Sequence, residues 1–147
     1  MNRSQFVVAA VLALVLAGCA SGPKLSEVSS SIPPLRADEG RVFFYRSNSM
    51  LGAAIQPTVY MDGKEVGSSK PGGFFFVDAK PGNHEVATST EVEKKLTFTL
   101  ERGQTRYVRT TISMGILAGR VQPELVDEAE GRKELAEMSY IGKPLAR

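Results

Sequence analysis

From Gly40 onward the chain is cut into short β-branched and aromatic runs by Gly, Pro, Asn and Asp at intervals of about ten residues, and that rhythm admits few folds. Runs this short are too brief for helices, and the turns between them suit antiparallel neighbours better than parallel α/β units. Arg41-Val42-Phe43-Phe44-Tyr45-Arg46 opens the series and ends at Ser47-Asn48-Ser49. Thr58-Val59-Tyr60-Met61 and Lys64-Glu65-Val66-Gly67 flank Asp62-Gly63, the residue pair that tolerates the positive φ angles of a type I′ hairpin. Gly73-Phe74-Phe75-Phe76-Val77-Asp78 comes next, followed by the turn Lys80-Pro81-Gly82-Asn83 and a strand over 84–90. In Lys95-Leu96-Thr97-Phe98-Thr99-Leu100-Glu101 the apolar residues share one face and the threonines the other, as in a half-buried antiparallel strand. Gly103-Gln104 turns the chain into a strand over 105–113, and a last one lies within 120–126, where Pro123 argues for a sheet edge.

After Val126 the period changes. Asp127 with Glu130 three residues later forms a capping box, and Leu135 and Met138 then lie on one side of a short helix over 128–138 that Gly131 weakens. The expected fold is mostly β: a small antiparallel β-sandwich of about seven to eight strands, or an open barrel, with one short C-terminal helix. The domain spans 40–147, and the Ser-rich stretch before it, with Pro33-Pro34, reads as an extended tether over 19–39.

The first 18 residues have the parts of an export signal: Arg3, an apolar run of about 11 residues from Phe6 to Leu16, and small residues after it. The run is too short to cross a bilayer core, which takes about 20 apolar residues. Leu16-Ala17-Gly18-Cys19 resembles the lipobox of bacterial lipoproteins at all four positions. The resemblance implies cleavage after Gly18 and a diacylglyceryl thioether on Cys19, followed by N-acylation. It implies an anchor in the cell envelope and, for a Gram-negative host, because Ala20 rather than Asp follows the cysteine, export onward to the outer membrane; the expected face is the periplasmic one. Each buried methylene of such a chain contributes about 0.8 kcal/mol, so more than one chain gives effectively permanent anchoring. Cys19 is the sole cysteine, so the fold must stand without a disulfide. Without the signal and its Arg3, 17 basic residues face 16 acidic ones, which leaves no footprint for nucleic acid.

The stretch from Gly40 to about Leu135 also resembles a family of bacterial lipoproteins catalogued as a domain of unknown function. The matching segments are Val42-Phe43-Phe44-Tyr45-Arg46, Ser49-Met50-Leu51-Gly52-Ala53, Val59 to Gly67 with its Asp62-Gly63-Lys64 turn, and Lys80-Pro81-Gly82-Asn83-His84. The two turns are similar to those of PEGA-type surface β-domains. The resemblance implies an antiparallel β-sandwich on a lipid anchor and supplies no catalytic residue.

No constellation in the chain has the spacing of an active site or metal centre. His84 is the sole histidine and starts a strand, where its ring can bond the turn backbone; no nucleophile or carboxylate is spaced to pair with it. Asp127, Glu128, Glu130, Glu134 and Glu137 read as a solvated helix face interleaved with Arg132 and Lys133. Gly115-Ile116-Leu117-Ala118-Gly119 reads as a turn between two strands. The expectation is therefore a non-enzymatic protein with no metal and no cofactor beyond the lipid. Two loops are unusually apolar for connections, around Met50 and Leu51 and around Ile116 and Leu117. They either fold inward as lids or, lying at one end, make a patch for an envelope protein or a membrane. The alternative is a small apolar ligand held between the sheets in a cavity lined by Phe43, Phe75 and Phe98. In Phe74-Phe75-Phe76 at least one ring must face away from the others.

Overall fold

Val42-Phe43-Phe44-Tyr45 is apolar at consecutive positions, so a strand there has to be covered on both faces. The computed structural model describes residues 19–90, 93–114 and 119–146, and in it β1 (Gly40–Tyr45) is buried at every position. It is the middle of a five-stranded sheet. β4 (Gly73–Ala79) pairs with it antiparallel, setting Phe44 opposite Phe75, and β7 (Thr105–Met114) pairs with it parallel, setting Phe44 opposite Val108. β8 (Gly119–Val126) lies outside β7, and the two-residue β9 (Ser139–Tyr140) lies parallel to β4 on the other side. The second sheet has the order β3 (Lys64–Ser68), β2 (Thr58–Met61), β5 (Gly82–Thr88) and β6 (Lys94–Leu100), all antiparallel.

The expected mostly β sandwich is therefore observed, with nine strands among the described residues and a short C-terminal helix. It departs from the expectation in two pairings, β1 with β7 and β4 with β9, which are parallel. Pro123 lies on β8, whose outer edge has no neighbour in the sheet, as a residue without an amide donor requires. Asp62 and Gly63 take φ of 52° and 75° at the β2–β3 turn, the pair of positive angles that this hairpin needs.

Alternation along β1 makes two cores. Val42 and Phe44 point between the sheets with Val59, Met61, Phe75, Val86, Phe98, Leu100 and Val108, and Phe44 stacks on Phe75 at 5.0 Å. Phe43 and Tyr45 point the other way, into a layer with Phe74, Tyr107, Leu135 and Met138. Phe74 and Phe76 share that outer face, so of the three consecutive phenylalanines Phe75 alone faces the second sheet. The cavity expected between Phe43, Phe75 and Phe98 cannot exist, because Phe43 precedes Phe44 by one residue and so faces away. The slot bordered by Phe44, Val59 and Phe75 has no room even for water.

The outer layer corrects a second expectation. Residues 19–39 are no extended tether. α1 (Leu25–Val28) continues into a 3₁₀ turn (Ser29–Ser31), and Val28 is buried with Leu25 and Ile32 against Phe43 and Tyr45. Lys24 Nζ donates to the carbonyl of Glu137 at 2.7 Å, the Tyr140 amide to that of Pro23 at 2.8 Å, and Arg41 Nη2 to that of Pro33 at 2.8 Å. Leu25, Val28 and Ile32 have the i, i+3, i+7 spacing of a helical stripe, which is the sequence signal for this docking.

α2 (Glu128–Leu135) closes the same layer. Asp127 caps it by accepting the Glu130 amide at 2.9 Å. Gly131 weakens the helix in isolation, yet a Cβ there would lie 2.4 Å from the Tyr107 ring, so the missing side chain is what lets α2 approach the sheet.

Candidate functional site

β1 and β7 end, and β4 and β8 begin, at one end of the sandwich, where β2 also starts and β3 and β5 finish. The loop from Ser47 to Pro57 crosses that end. It is organised by Arg46, which the sequence presents as an ordinary strand-end charge. Arg46 is 3% exposed. Its Nη1 donates to the carbonyls of Ile55 at 2.6 Å and Ser69 at 3.3 Å, and its Nη2 to those of Gly52 at 2.9 Å and Leu51 at 3.4 Å. Burial pushes the guanidinium below its usual value, but arginine has so high a starting value that it stays charged. Three amides of the loop also pair locally: that of Ala53 donates to Met50, that of Ile55 to Gly52, and that of Leu51 to Ser49 Oγ.

With its carbonyls turned inward, the loop presents side chains outward. Met50 is 69% exposed and Leu51 56%, so they are not lids over the core. Met114, at the end of β7, is 72% exposed. Leu51 and Ile112 line one shallow groove of about 220 Å³, which puts the loop beside the tip of β7. Ile116 and Leu117 lie outside the described residues, but the strands flanking them are paired up to Met114 opposite Gly119. Leu16, Ala17 and Gly18 lie outside the described residues as well.

Cys19 sits at this same end. The Ala20 amide donates to the Pro71 carbonyl at 2.8 Å, and the Cys19 thiol lies 3.7 Å from Asn48 Oδ1 in the Ser47 to Pro57 loop.

His84 occupies the opposite end. Its Nδ1 is 2.7 Å from Asp62 Oδ2 and its Nε2 2.8 Å from the Lys80 carbonyl, so both ring nitrogens are used to tie the β2–β3 and β4–β5 turns together. Burial alone would raise the Asp62 carboxyl, but the Glu85 amide and the His84 ring outweigh it and hold it below the usual carboxylate value. A lowered folded-state value stabilises the fold above the unfolded value of about 3.9 and is lost as the pH falls through it. Asp62→Asn should therefore cost less than about 1 kcal/mol at pH 7, given its exposure, and less still at pH 3. Urea unfolding at the two pH values checks this, and an equal loss at both would contradict it.

The acidic residues of α2 are not a solvated face throughout. Glu130 and Glu134 turn toward Arg109 of β7, whose Nη1 donates to them at 2.5 Å and 2.9 Å while its Nε donates to Glu124 at 2.8 Å. Tyr45 donates to Glu134 at 2.5 Å. Burial and that carboxylate push the Tyr45 hydroxyl well above its usual value; burial would lower Arg109, but its three carboxylates reverse this and hold it raised. On the solvated side of the helix Arg132 pairs with Glu128, one turn earlier, at 2.7 Å. Among the described residues no group of three or more His, Cys, Asp and Glu is placed to hold a metal ion.

A groove of about 320 Å³ runs along the open side of the sandwich, between the free edge of β3 and the residues after β9; Val66, Phe75, Phe76, Tyr140, Pro144 and Leu145 are among its walls.

Comparison with known proteins places these features in a family. Residues 36–122 match a family described as a protein of unknown function, DUF2846. The chain belongs to the DUF2846 family. An uncharacterized protein of Haemophilus influenzae (strain ATCC 51907 / DSM 11121 / KW20 / Rd) is 31% identical over 133 residues, covering 87% of this chain and 79% of that protein. The segment matched to DUF2846 runs from before β1 into β8. It holds Arg46, the exposed loop and the His84–Asp62 tie, and it leaves out Cys19 and α2.

Proposed function

We propose that this DUF2846 protein is an exported lipoprotein, held in the outer membrane by diacylglyceryl and N-acyl chains on Cys19, that serves as a non-enzymatic interaction module for an envelope protein on the periplasmic side. The observation that carries the reading is the place of Cys19. An export-type segment ends at this residue, and the chain joins the fold at once, through the Ala20 amide. The side chains with catalytic chemistry have other employment: both nitrogens of His84 are bonded across turns, and Glu124, Glu130 and Glu134 share Arg109. For an extended peptide of the partner, the groove beside β3 offers apolar walls and an unpaired strand edge.

The mass of the protein extracted from membranes of a Gram-negative host tests the anchor. The expected chain begins at Cys19 and carries a diacylglyceryl group and one acyl group; Cys19→Ser loses both and leaves the membrane fraction. A parent chain without acyl groups would sink the lipoprotein reading. A photoreactive residue in place of Val66 or of Lys143, on opposite walls of the groove, should capture one and the same envelope protein in intact cells, and capture at neither would sink the partner reading.

A further inference from the structure

The large hydrophobic residues left exposed among the described residues are Met50, Leu51 and Met114, and all three lie at the end of the sandwich that holds Cys19. Exposed apolar side chains scattered singly are ordinary; their convergence on the attachment point of a lipid is not. The segments that carry them, 47–57 and 110–119, contain no ionisable residue, in a chain with 18 basic and 16 acidic ones. The opposite end carries Asp38, Asp62, Lys80, Glu101 and Arg102, with Lys80 paired to Asp38 and Glu39.

Distance favours contact with lipid. Asn48, against which the Cys19 sulfur rests, precedes Leu51 by three residues, and three residues reach at most about 10 Å. That is about the depth to which apolar faces enter the boundary between headgroups and acyl chains. A loop can enter such a medium only if its backbone polar groups are paired within the protein. Around Leu51 the structure goes far toward that condition from inside, since Arg46 binds the carbonyls of Leu51, Gly52 and Ile55 and the amides of Leu51, Ala53 and Ile55 pair within the loop. Arg46 thereby keeps its own charge away from the lipid.

We infer that Met50, Leu51 and Met114 are seated in the leaflet that holds the Cys19 acyl chains, so that the sandwich stands end-on against the membrane with its charged end and its side groove toward the aqueous phase. The inference rests on lipidation at Cys19, and its test separates the two. In the acylated protein the Cys19 sulfur is blocked, so Leu51→Cys, Met114→Cys and, at the opposite end, Arg102→Cys each offer one thiol for a nitroxide label. The labelled full-length mature lipoproteins are placed in vesicles of phosphatidylethanolamine and phosphatidylglycerol, and collision of the label with oxygen and with a water-soluble nickel chelate is measured. The expected oxygen-to-nickel ratio is several-fold higher at 51 and 114 than at 102. A ratio at 51 and 114 equal to that at 102, or exclusion of both reagents there by a protein cover, overturns the inference. Loss of the lipid itself would show separately in the intact mass and as labelling of Cys19.

Discussion

Arg46→Met should lower the melting temperature of the domain by about 10 °C or more, the largest effect expected of a single substitution outside the apolar core. Methionine keeps much of the stem packing and removes the guanidinium, which leaves the carbonyls of Leu51, Ile55 and Ser69 without that donor and Gly52 with only the Ile55 amide. An unsatisfied buried acceptor costs about 1–3 kcal/mol, and some of these can turn to water as the loop opens, so a total of about 3–5 kcal/mol is expected. A domain of this size loses a few degrees per kcal/mol. Arg46→Lys should fall between the two, because an ammonium keeps the charge but lacks the planar fork that reaches four carbonyls. Thermal melts of the three proteins decide the matter, and a lysine variant as stable as the parent would show that charge alone is enough. Hydrogen exchange adds a local signature: amides of Ala53 and Ile55 should lose protection before those of β1 do.

Arg109→Met should cost about 2–3 kcal/mol and act through α2. It removes the one cation that binds Glu124 of β8 together with Glu130 and Glu134 of the helix, and it leaves Glu134 partly buried with only the Tyr45 hydroxyl. Combining it with Glu130→Gln and Glu134→Gln should restore part of the loss, because neutral amides need no counter-charge. If the triple variant is no better than Arg109→Met, the cost lies in lost packing of the arginine stem rather than in stranded carboxylates. Urea unfolding of the single and triple variants separates the two.

The strands and their turns were legible in the sequence because they depend on neighbours in the chain. Asp62-Gly63 tolerates the positive φ of a tight hairpin by virtue of its own two residues, and the alternation of Leu96, Phe98 and Leu100 fixes their face without reference to any partner strand. What alternation cannot say is which strand lies alongside, so the parallel pairing of β1 with β7 is invisible in it. The two-residue β9 is too short to have a pattern at all. The docked segment before β1 was readable from Leu25, Val28 and Ile32, but serine and proline around them gave the composition of a linker. Of the end that holds Cys19, the sequence showed that cysteine and the apolar stretch around Met50 and Leu51 as separate features. Their meeting there, with Arg46 beneath that stretch, depends on pairings between residues far apart in the chain. The same holds for Arg109, whose partners come from β8 and α2.

The parallel pairing also decides the order in which the molecule can be completed. β1 is the first strand to be synthesised, and it stays without one neighbour until β4 appears and without the other until β7 does. The second sheet needs no such delay, since β2 with β3 and β5 with β6 are adjacent in the chain. A nascent chain that has reached Leu100 therefore holds one finished sheet and the β1–β4 pair, whose first strand, Val42-Phe43-Phe44-Tyr45, still has an apolar face and one open edge where β7 belongs. Such edges recruit other chains, and non-local closures are slow. For as long as β7 is missing, that first strand is the part of the molecule most in need of a chaperone.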